Sequence, residues 1–178
     1  RYDFIDINRV GIFGHSGGGF MATAAICTYP DFYKAAVSSS GNHDNNIYNR
    51  GWVEIYNGVQ ESTKTIQTAT GKDSIIYTFS SHVPTNMELA KNLKGHLLLV
   101  SGDQDRNVHP AHLLRMANAL IQANKNFEML LIPGAKHGYT GQANRFFEKK
   151  LWFHFAKYLL GDFSSEQFTD LDETLKIK

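Results

Sequence analysis

The sequence predicts an α/β fold built on a parallel sheet flanked by helices. Two observations carry that prediction: short apolar runs that stop at glycine or polar residues, and stretches of helical period between them, the two kinds alternating along 178 residues. A hydrophobic content of 42% is enough to bury one good core, so residues 1–178 read as a single globular domain. The formal net charge is +1, with both signs interspersed, so no basic face invites nucleic acid and no acidic tail marks a solvating segment. Cys27 stands alone and cannot form an internal disulfide, which excludes a stapled scaffold and leaves the compartment open. No apolar run approaches the roughly 20 residues that span a bilayer. The opening Arg1-Tyr2-Asp3 has neither a basic nor an apolar signal region and reads as the interior of something longer.

The elements follow in order. Arg9 to His15 (RVGIFGH) is a short apolar run ending at a tight turn, and Gly17 to Tyr29 then turns helical with Phe20, Ala24 and Cys27 on one face. Ala35 to Ser39 is a second strand. The polar stretch from Gly41 to Val83 has mixed aromatics and weak periodicity, and reads as an excursion from the core. Thr85 and Glu88 have capping-box spacing, so a short helix carrying Leu89 and Leu93 leads into the buried strand His96 to Ser101. Pro110 suits a first helical position, and the helix Ala111 to Ala123 turns Leu113, Leu114, Ala117 and Leu120 toward a core. Phe127 to Ile132 is a further strand ending at Pro133-Gly134. A last helix, about Ala143 to Leu160, is rich in Phe and Trp. The tail after Gly161 has Phe163, Phe168 and Leu171, enough to dock without defining a domain. Functional residues are expected in the loops at the carboxyl ends of the strands.

Gly14-His15-Ser16-Gly17-Gly18 fits the G-x-S-x-G nucleophile elbow, and it sits between a strand and a helix, the context that gives the motif meaning. Such an elbow raises the Ser16 hydroxyl above the sheet at a helix amino terminus, and Gly14 and Gly18 supply room for the tight turn. The fold this implies is the α/β-hydrolase fold. A serine hydroxyl is a poor nucleophile until an imidazole removes its proton, and the imidazole needs a carboxylate to hold its tautomer. In this fold the chain order is serine, acid, histidine, each on a loop after a strand. Asp105, after HLLLVS, and His137, after FEMLLI, meet that order. Asp103 shares the acid loop and could itself be the acid. His15 lies on a strand of period two and is taken to point away and support the elbow. His109 and His112, spaced i,i+3, could be half a metal site, but no third ligand accompanies them and a solvated helix start accounts for them, so no metal and no cofactor is expected. His43, His82, His96 and His154 have no partner legible in the sequence.

These residues resemble the prolyl oligopeptidase-like serine peptidases, and within them the dipeptidyl peptidase IV branch. Asp6 to Gly18 (DINRVGIFGHSGG) is similar to the segment entering that family's nucleophile, and Ser101 to His109 (SGDQDRNVH) is similar to its acid loop. The resemblance assigns the acid to Asp105 rather than Asp103 and the base to His137. It implies that the Gly17 N–H is one oxyanion donor, that Asn107 helps hold a substrate carbonyl, and that Val108 forms a wall of the pocket for the residue before the cut. Tyr48 and Trp52 fall where the branch carries aromatics lining the same pocket, and they could equally be core-facing residues of a helix. One departure is plain: the branch has an aromatic directly after the nucleophile, where this chain has Gly17. The family also places a propeller and the first half of the hydrolase sheet before the nucleophile strand. The chain therefore reads as the carboxyl-terminal part of a catalytic domain, with the tyrosine that gives a second oxyanion donor in the preceding half. The exposed edge of the nucleophile strand is then expected to pair with that half or with a second copy. The resemblance implies a peptide substrate and a periplasmic or extracellular setting. An esterase or acylaminoacyl hydrolase using the same triad, and a non-catalytic assembly domain, are the rival readings.

Overall fold

The computed structural model describes residues 2–80, 83, 85–167 and 169–174. In chain order the main elements are β1 (Val10–His15), α1 (Gly17–Thr28), β2 (Tyr33–Ser39), α2 (Arg50–Asn57), β3 (Gln60–Gln67), β4 (Asp73–Ser80), α3 (Asn86–Leu89), β5 (His96–Gly102), α4 (Ala111–Gln122), β6 (Glu128–Ile132) and α5 (Gly141–Phe155). A 3-10 turn, Ala90–Asn92, extends α3, and a π-helical turn, Ala156–Leu160, extends α5 to the left-handed Gly161. The chain divides into two compact units: residues 1–43 with 86–178, and residues 44–85.

The first unit is organised by a four-stranded sheet of order β1-β2-β5-β6, with every neighbouring pair parallel. Successive side chains leave a strand on opposite faces, and here both faces are covered. Ala36 of β2 with Leu97 and Leu99 of β5 enter one core with Ile26 and Cys27 of α1 and Leu113, Met116 and Leu120 of α4. Val37, Leu98 and Val100 enter the other, against Phe147, Leu151 and Phe155 of α5. The apolar run HLLLV is continuous in sequence because it is buried on both sides. β1 and β6 are the sheet's two edges, and on β1 Phe13 remains 66% exposed.

The elements lie within a residue or two of their predicted bounds, with two corrections. Leu114 is 52% exposed, and Met116 takes its place inside. At 100° per residue the buried stripe that starts at Leu113 continues through 116, 117 and 120, which leaves 114 outside. Pro110 enters α4 with helical φ −54° and ψ −17°, its carbonyl accepts the Leu114 N–H at 3.1 Å, and the His109 side chain accepts the Ala111 N–H at 3.1 Å, so the proline stands at the helix start as expected. His112 is buried, not solvated. In the tail Phe163 is 52% exposed, Leu171 is half-buried, and Phe168 lies outside the described residues.

The second unit corresponds to the stretch read as an excursion. It holds α2, capped by the Asn49 side chain accepting from the Trp52 N–H at 3.1 Å, and the antiparallel hairpin β3-β4, paired from Gln60↔Ser80 to Gln67↔Asp73. The strand QESTKTIQ has no apolar face, and nearly all of it is exposed, so period-two burial left no trace in the sequence.

Of the four histidines with no partner legible in the sequence, His43, His96 and His154 have one in the structure. His96 stacks on Tyr158 with ring centroids 3.7 Å apart, and the His154 ring nitrogen Nε2 lies 3.2 Å from the His96 carbonyl. His43 is fully buried, with Nδ1 3.0 Å from Asn86 Nδ2, which also donates to the Phe20 carbonyl at 3.0 Å. These bonds join α3 to α1 and to the chain leaving β2. His82 lies outside the described residues. Burial first, and then the charge of His112, press the His43 pKa from 6.5 down to about 3. Between those two values the unfolded chain holds a proton that the folded chain refuses, so this site destabilises the fold as pH falls through the window, by up to about 1.4 kcal/mol per pH unit. We expect denaturant midpoints to drop more steeply from pH 7 to pH 4 for the native chain than for His43→Gln. Parallel pH dependence in the two would show that His43 does not contribute.

Candidate active site

The parallel register gathers the chemistry at one end of the sheet. His15 of β1 is level with Ser39 of β2, Ser39 with Val100 of β5, and Gly102 with Ile132 of β6. The chain leaves those strands at Ser16, Ser40, Asp103 and Pro133, so four loops open on the same side.

Ser16 forms the sharp turn between β1 and α1. It takes φ 58° and ψ −123°, a conformation that costs a residue with a side chain on the order of 1–3 kcal/mol. Its N–H donates to the Ser39 carbonyl at 2.8 Å, and its carbonyl accepts from Phe20 N–H at 3.1 Å, which ties the strained residue to β2 and to the helix. The turn also needs room. A Cβ on Gly14 would lie 2.3 Å from the backbone of Gly18, and one on Gly19 would lie 2.6 Å from the Ser39 carbonyl oxygen. A Cβ on Gly18 would meet nothing within 4 Å. Gly14 and Gly19, not Gly14 and Gly18, are thus the positions where a side chain is excluded. Gly17 is the first residue of α1, so its N–H has no carbonyl a turn earlier in the helix.

Asp105 is 1% exposed, yet its carboxylate is fully engaged. Oδ1 accepts the N–H groups of Asn107 and Val108, each at 2.9 Å, and Oδ2 lies 2.8 Å from His137 Nδ1. The other imidazole nitrogen, Nε2, is 3.0 Å from Ser16 Oγ. Ser16, His137 and Asp105 therefore form one hydrogen-bonded series. Asp103 has a different place: its Oδ1 accepts the Gly134 N–H at 2.6 Å and so fastens the acid loop to the histidine loop.

Around this series lies a second set that the sequence did not reveal. His15 does not point away: its ring packs 4.8 Å from the His137 ring, and its Nδ1 is 2.9 Å from Ser39 Oγ. The period-two argument fails there because β1 ends at that residue and its side chain lies over the sheet end. Ser39 Oγ donates to the Tyr139 hydroxyl at 3.0 Å, and Ser40 Oγ lies 3.2 Å from the same oxygen. With Ser39 donating, His15 must carry its proton on Nδ1 and donate to Ser39. Burial, and then the charge of His137, hold the His15 pKa below its ordinary value, which favours the neutral form of His15 beside the His137 ring. Burial raises the Tyr139 pKa, which keeps its hydroxyl a proton donor and acceptor. The only sequence signal for this set was Tyr139 standing two residues after His137.

Of the remaining candidates, Asn107 and Val108 belong to the first unit and Tyr48 and Trp52 to the second. Asn107 lines a cavity with His137. Val108 is 1% exposed. Tyr48 and Trp52 lie in the second unit with rings 5.4 Å apart at 78°. Tyr48 precedes the helix cap, so the pair is not the i,i+4 helical pair that spacing implied. Among the described residues no group of three or more His, Cys, Asp and Glu could hold a metal ion, and no helix is long and apolar enough to cross a membrane. Cys27 is buried, and burial pushes its thiol pKa up to about 12, so it offers no competing nucleophile.

Comparison with known proteins places this geometry. A family model described as prolyl oligopeptidase family matches residues 1–163. Dipeptidyl peptidase 8 of Homo sapiens is 31% identical over 137 residues, which is 77% of this chain and 14% of that protein. Prolyl endopeptidase FAP of Bos taurus is 26% identical over 161 residues, 90% of this chain and 19% of that protein. The crystal structure of Porphyromonas gingivalis dipeptidyl peptidase 4 superimposes with a TM-score of 0.68 at 26% identity, covering 85% of this chain and 20% of that one. The chain spans a fifth or less of the length of these relatives. Its parallel sheet flanked by helices is that of an α/β hydrolase, and the chain belongs to the prolyl oligopeptidase family.

Proposed function

We propose that this chain is the nucleophile-to-histidine part of the catalytic domain of a serine peptidase of the dipeptidyl peptidase IV kind. The observation that carries the reading is the series Ser16 Oγ to His137 Nε2 at 3.0 Å and His137 Nδ1 to Asp105 Oδ2 at 2.8 Å. The names of the relatives, dipeptidyl peptidase and prolyl endopeptidase, support a peptide substrate.

In this reading His137 Nε2 takes the Ser16 hydroxyl proton as Oγ bonds to the scissile carbonyl carbon. The carbonyl electron pair moves to oxygen, where the Gly17 N–H meets it. Asp105 stays ionised, accepts from Nδ1–H and stabilises the imidazolium. Collapse of the tetrahedral centre breaks the C–N bond, and the departing amine takes the proton from Nε2. Water then repeats the sequence on the acyl group held by Ser16, restoring the free serine. The two N–H groups on Asp105 Oδ1 hold that carboxylate in place through every step.

In the full-length protein, Ser16→Ala and His137→Ala are expected to lower kcat by about 10⁴- to 10⁶-fold and Asp105→Asn by about 10⁴-fold, with folding retained. Single-turnover and steady-state assays on a dipeptidyl substrate measure this, and activity within tenfold of the native enzyme in any of the three would refute the role given to that residue. Tyr139→Phe removes the hydroxyl between the histidine loop and the end of β2. We expect kcat to fall about tenfold with KM little changed, because His137 is less well oriented rather than the substrate less well held. A rise in KM alone would contradict this. The 178-residue chain by itself is expected to catalyse poorly, since the resemblance puts the second oxyanion donor in the preceding half, and loss of one donor costs about 10² to 10³ in kcat. A fluorophosphonate probe needs less orientation than a peptide and should label Ser16 slowly without measurable peptide turnover. Full peptidase activity from this chain alone would show that the site is complete without the preceding half.

A further inference from the structure

The acid loop and the histidine loop together enclose a cavity of about 450 Å³ lined by Gln104, Arg106, Asn107, Lys136 and His137. Its lining has two permanent cations, two amide side chains and the imidazole of the candidate base, and no carboxylate. The nearby acids are occupied: Asp105 is buried and bonded to His137, and Asp103 accepts from Gly134. Among the described residues Arg106 and Lys136 make no ion pair or hydrogen bond, and both are exposed. Elsewhere on the chain surface lysines do find acids: Lys94 with Asp31, Lys157 with Glu166, and Lys149 with Asp172. Two cations without an ion-pair partner thus face one cavity beside His137, and their side chains can turn to an anion that enters it.

We infer that this cavity binds a carboxylate of the substrate, so that the enzyme favours peptides carrying an acidic group within reach of His137. The proposal rests on the peptidase reading and adds a specificity to it. Arg106 supplies a planar pair of donors suited to a carboxylate, and Lys136 supplies a point charge on the opposite loop. Gln104 and Asn107 can donate amide N–H bonds to the same anion or to the adjoining peptide. Because the side chains are exposed, the attraction is screened by salt and its effect is modest, about tenfold at low ionic strength. The acidic group can be a Glu or Asp side chain or a free terminal carboxylate, which share this chemistry.

The test uses the full-length protein and a peptide series in which Glu, Gln or Lys is placed in turn at each of three positions on either side of the cut. Each peptide is made with a free and with an amidated carboxyl terminus. Binding is measured by fluorescence anisotropy on Ser16→Ala, and kcat/KM on the native enzyme, at low and at high salt. The expected result is one position, or the free terminus, at which the anionic peptide is preferred about tenfold, with the preference shrinking in high salt. In the Arg106→Glu, Lys136→Glu double variant the preference should turn toward Lys. A Glu-over-Gln effect locates a side-chain carboxylate, and a free-over-amide effect locates a terminal one. Turnover with Glu, Gln and Lys within twofold everywhere, or a preference unchanged by the double reversal, would overturn the proposal and leave the peptidase reading standing. Anion-selective binding to Ser16→Ala with no peptide hydrolysed by the native enzyme would do the reverse, keeping the cavity's role and removing the peptidase reading.

Discussion

The site depends on one strained residue. Ser16 has a backbone conformation that glycine tolerates and serine does not, and it is held there by its bond to the Ser39 carbonyl and by the start of α1. The backbone of Gly18 passes where a Cβ on Gly14 would be, and Ser39 and Gly41 crowd Gly19. The strain fixes the hydroxyl at the end of the sheet, within hydrogen-bond distance of His137 Nε2. It can be borne because the turn is anchored on both sides: β1 is paired with β2 along its length, and α1 packs its buried residues against the same sheet.

The rest of the arrangement follows from parallel strands. A parallel sheet puts every strand's carboxyl end on one side, so loops far apart in the chain become neighbours there. Ser16 and His137 are 121 positions apart and yet share a hydrogen bond. The loops that carry Asp105 and His137 are also fastened to each other apart from the bond between those side chains, through Asp103 and the Gly134 N–H and through Gln104 N–H and the Ala135 carbonyl. Those bonds help set the distance from Asp105 to His137 without relying on the bond between the two side chains.

His137 is also framed from behind. Its ring lies against His15, and its loop returns through Tyr139 to Ser39 and Ser40 at the end of β2. The donors run in one direction, from His15 Nδ1–H to Ser39 and from Ser39 to Tyr139, so each proton has one place. A neutral His15 beside His137 matters electrostatically. A charged imidazole there would oppose any positive charge on the His137 ring, 4.8 Å away.

Local features of the chain were enough to give the element order, the elbow at Gly14-His15-Ser16-Gly17-Gly18, and the serine, acid, histidine order, because each rests on near neighbours: apolar runs, glycines at a turn, loops after strands. They gave Leu113 and Leu120 as core but not the outward turn of Leu114, since choosing a stripe needs to know which face meets the sheet. They could not find β3 and β4, which bury almost nothing and so carry no pattern. The choice between Asp103 and Asp105 came from family resemblance, and only the folded chain displays the difference: one carboxylate is buried against His137, the other spent on Gly134. The placing of His15 against His137, the Tyr139 link, and the two free cations facing one cavity were likewise decided by tertiary structure alone. They join residues up to 124 positions apart, such as His15 with Tyr139, and a one-dimensional pattern holds no record of which distant loops the sheet's register will bring together.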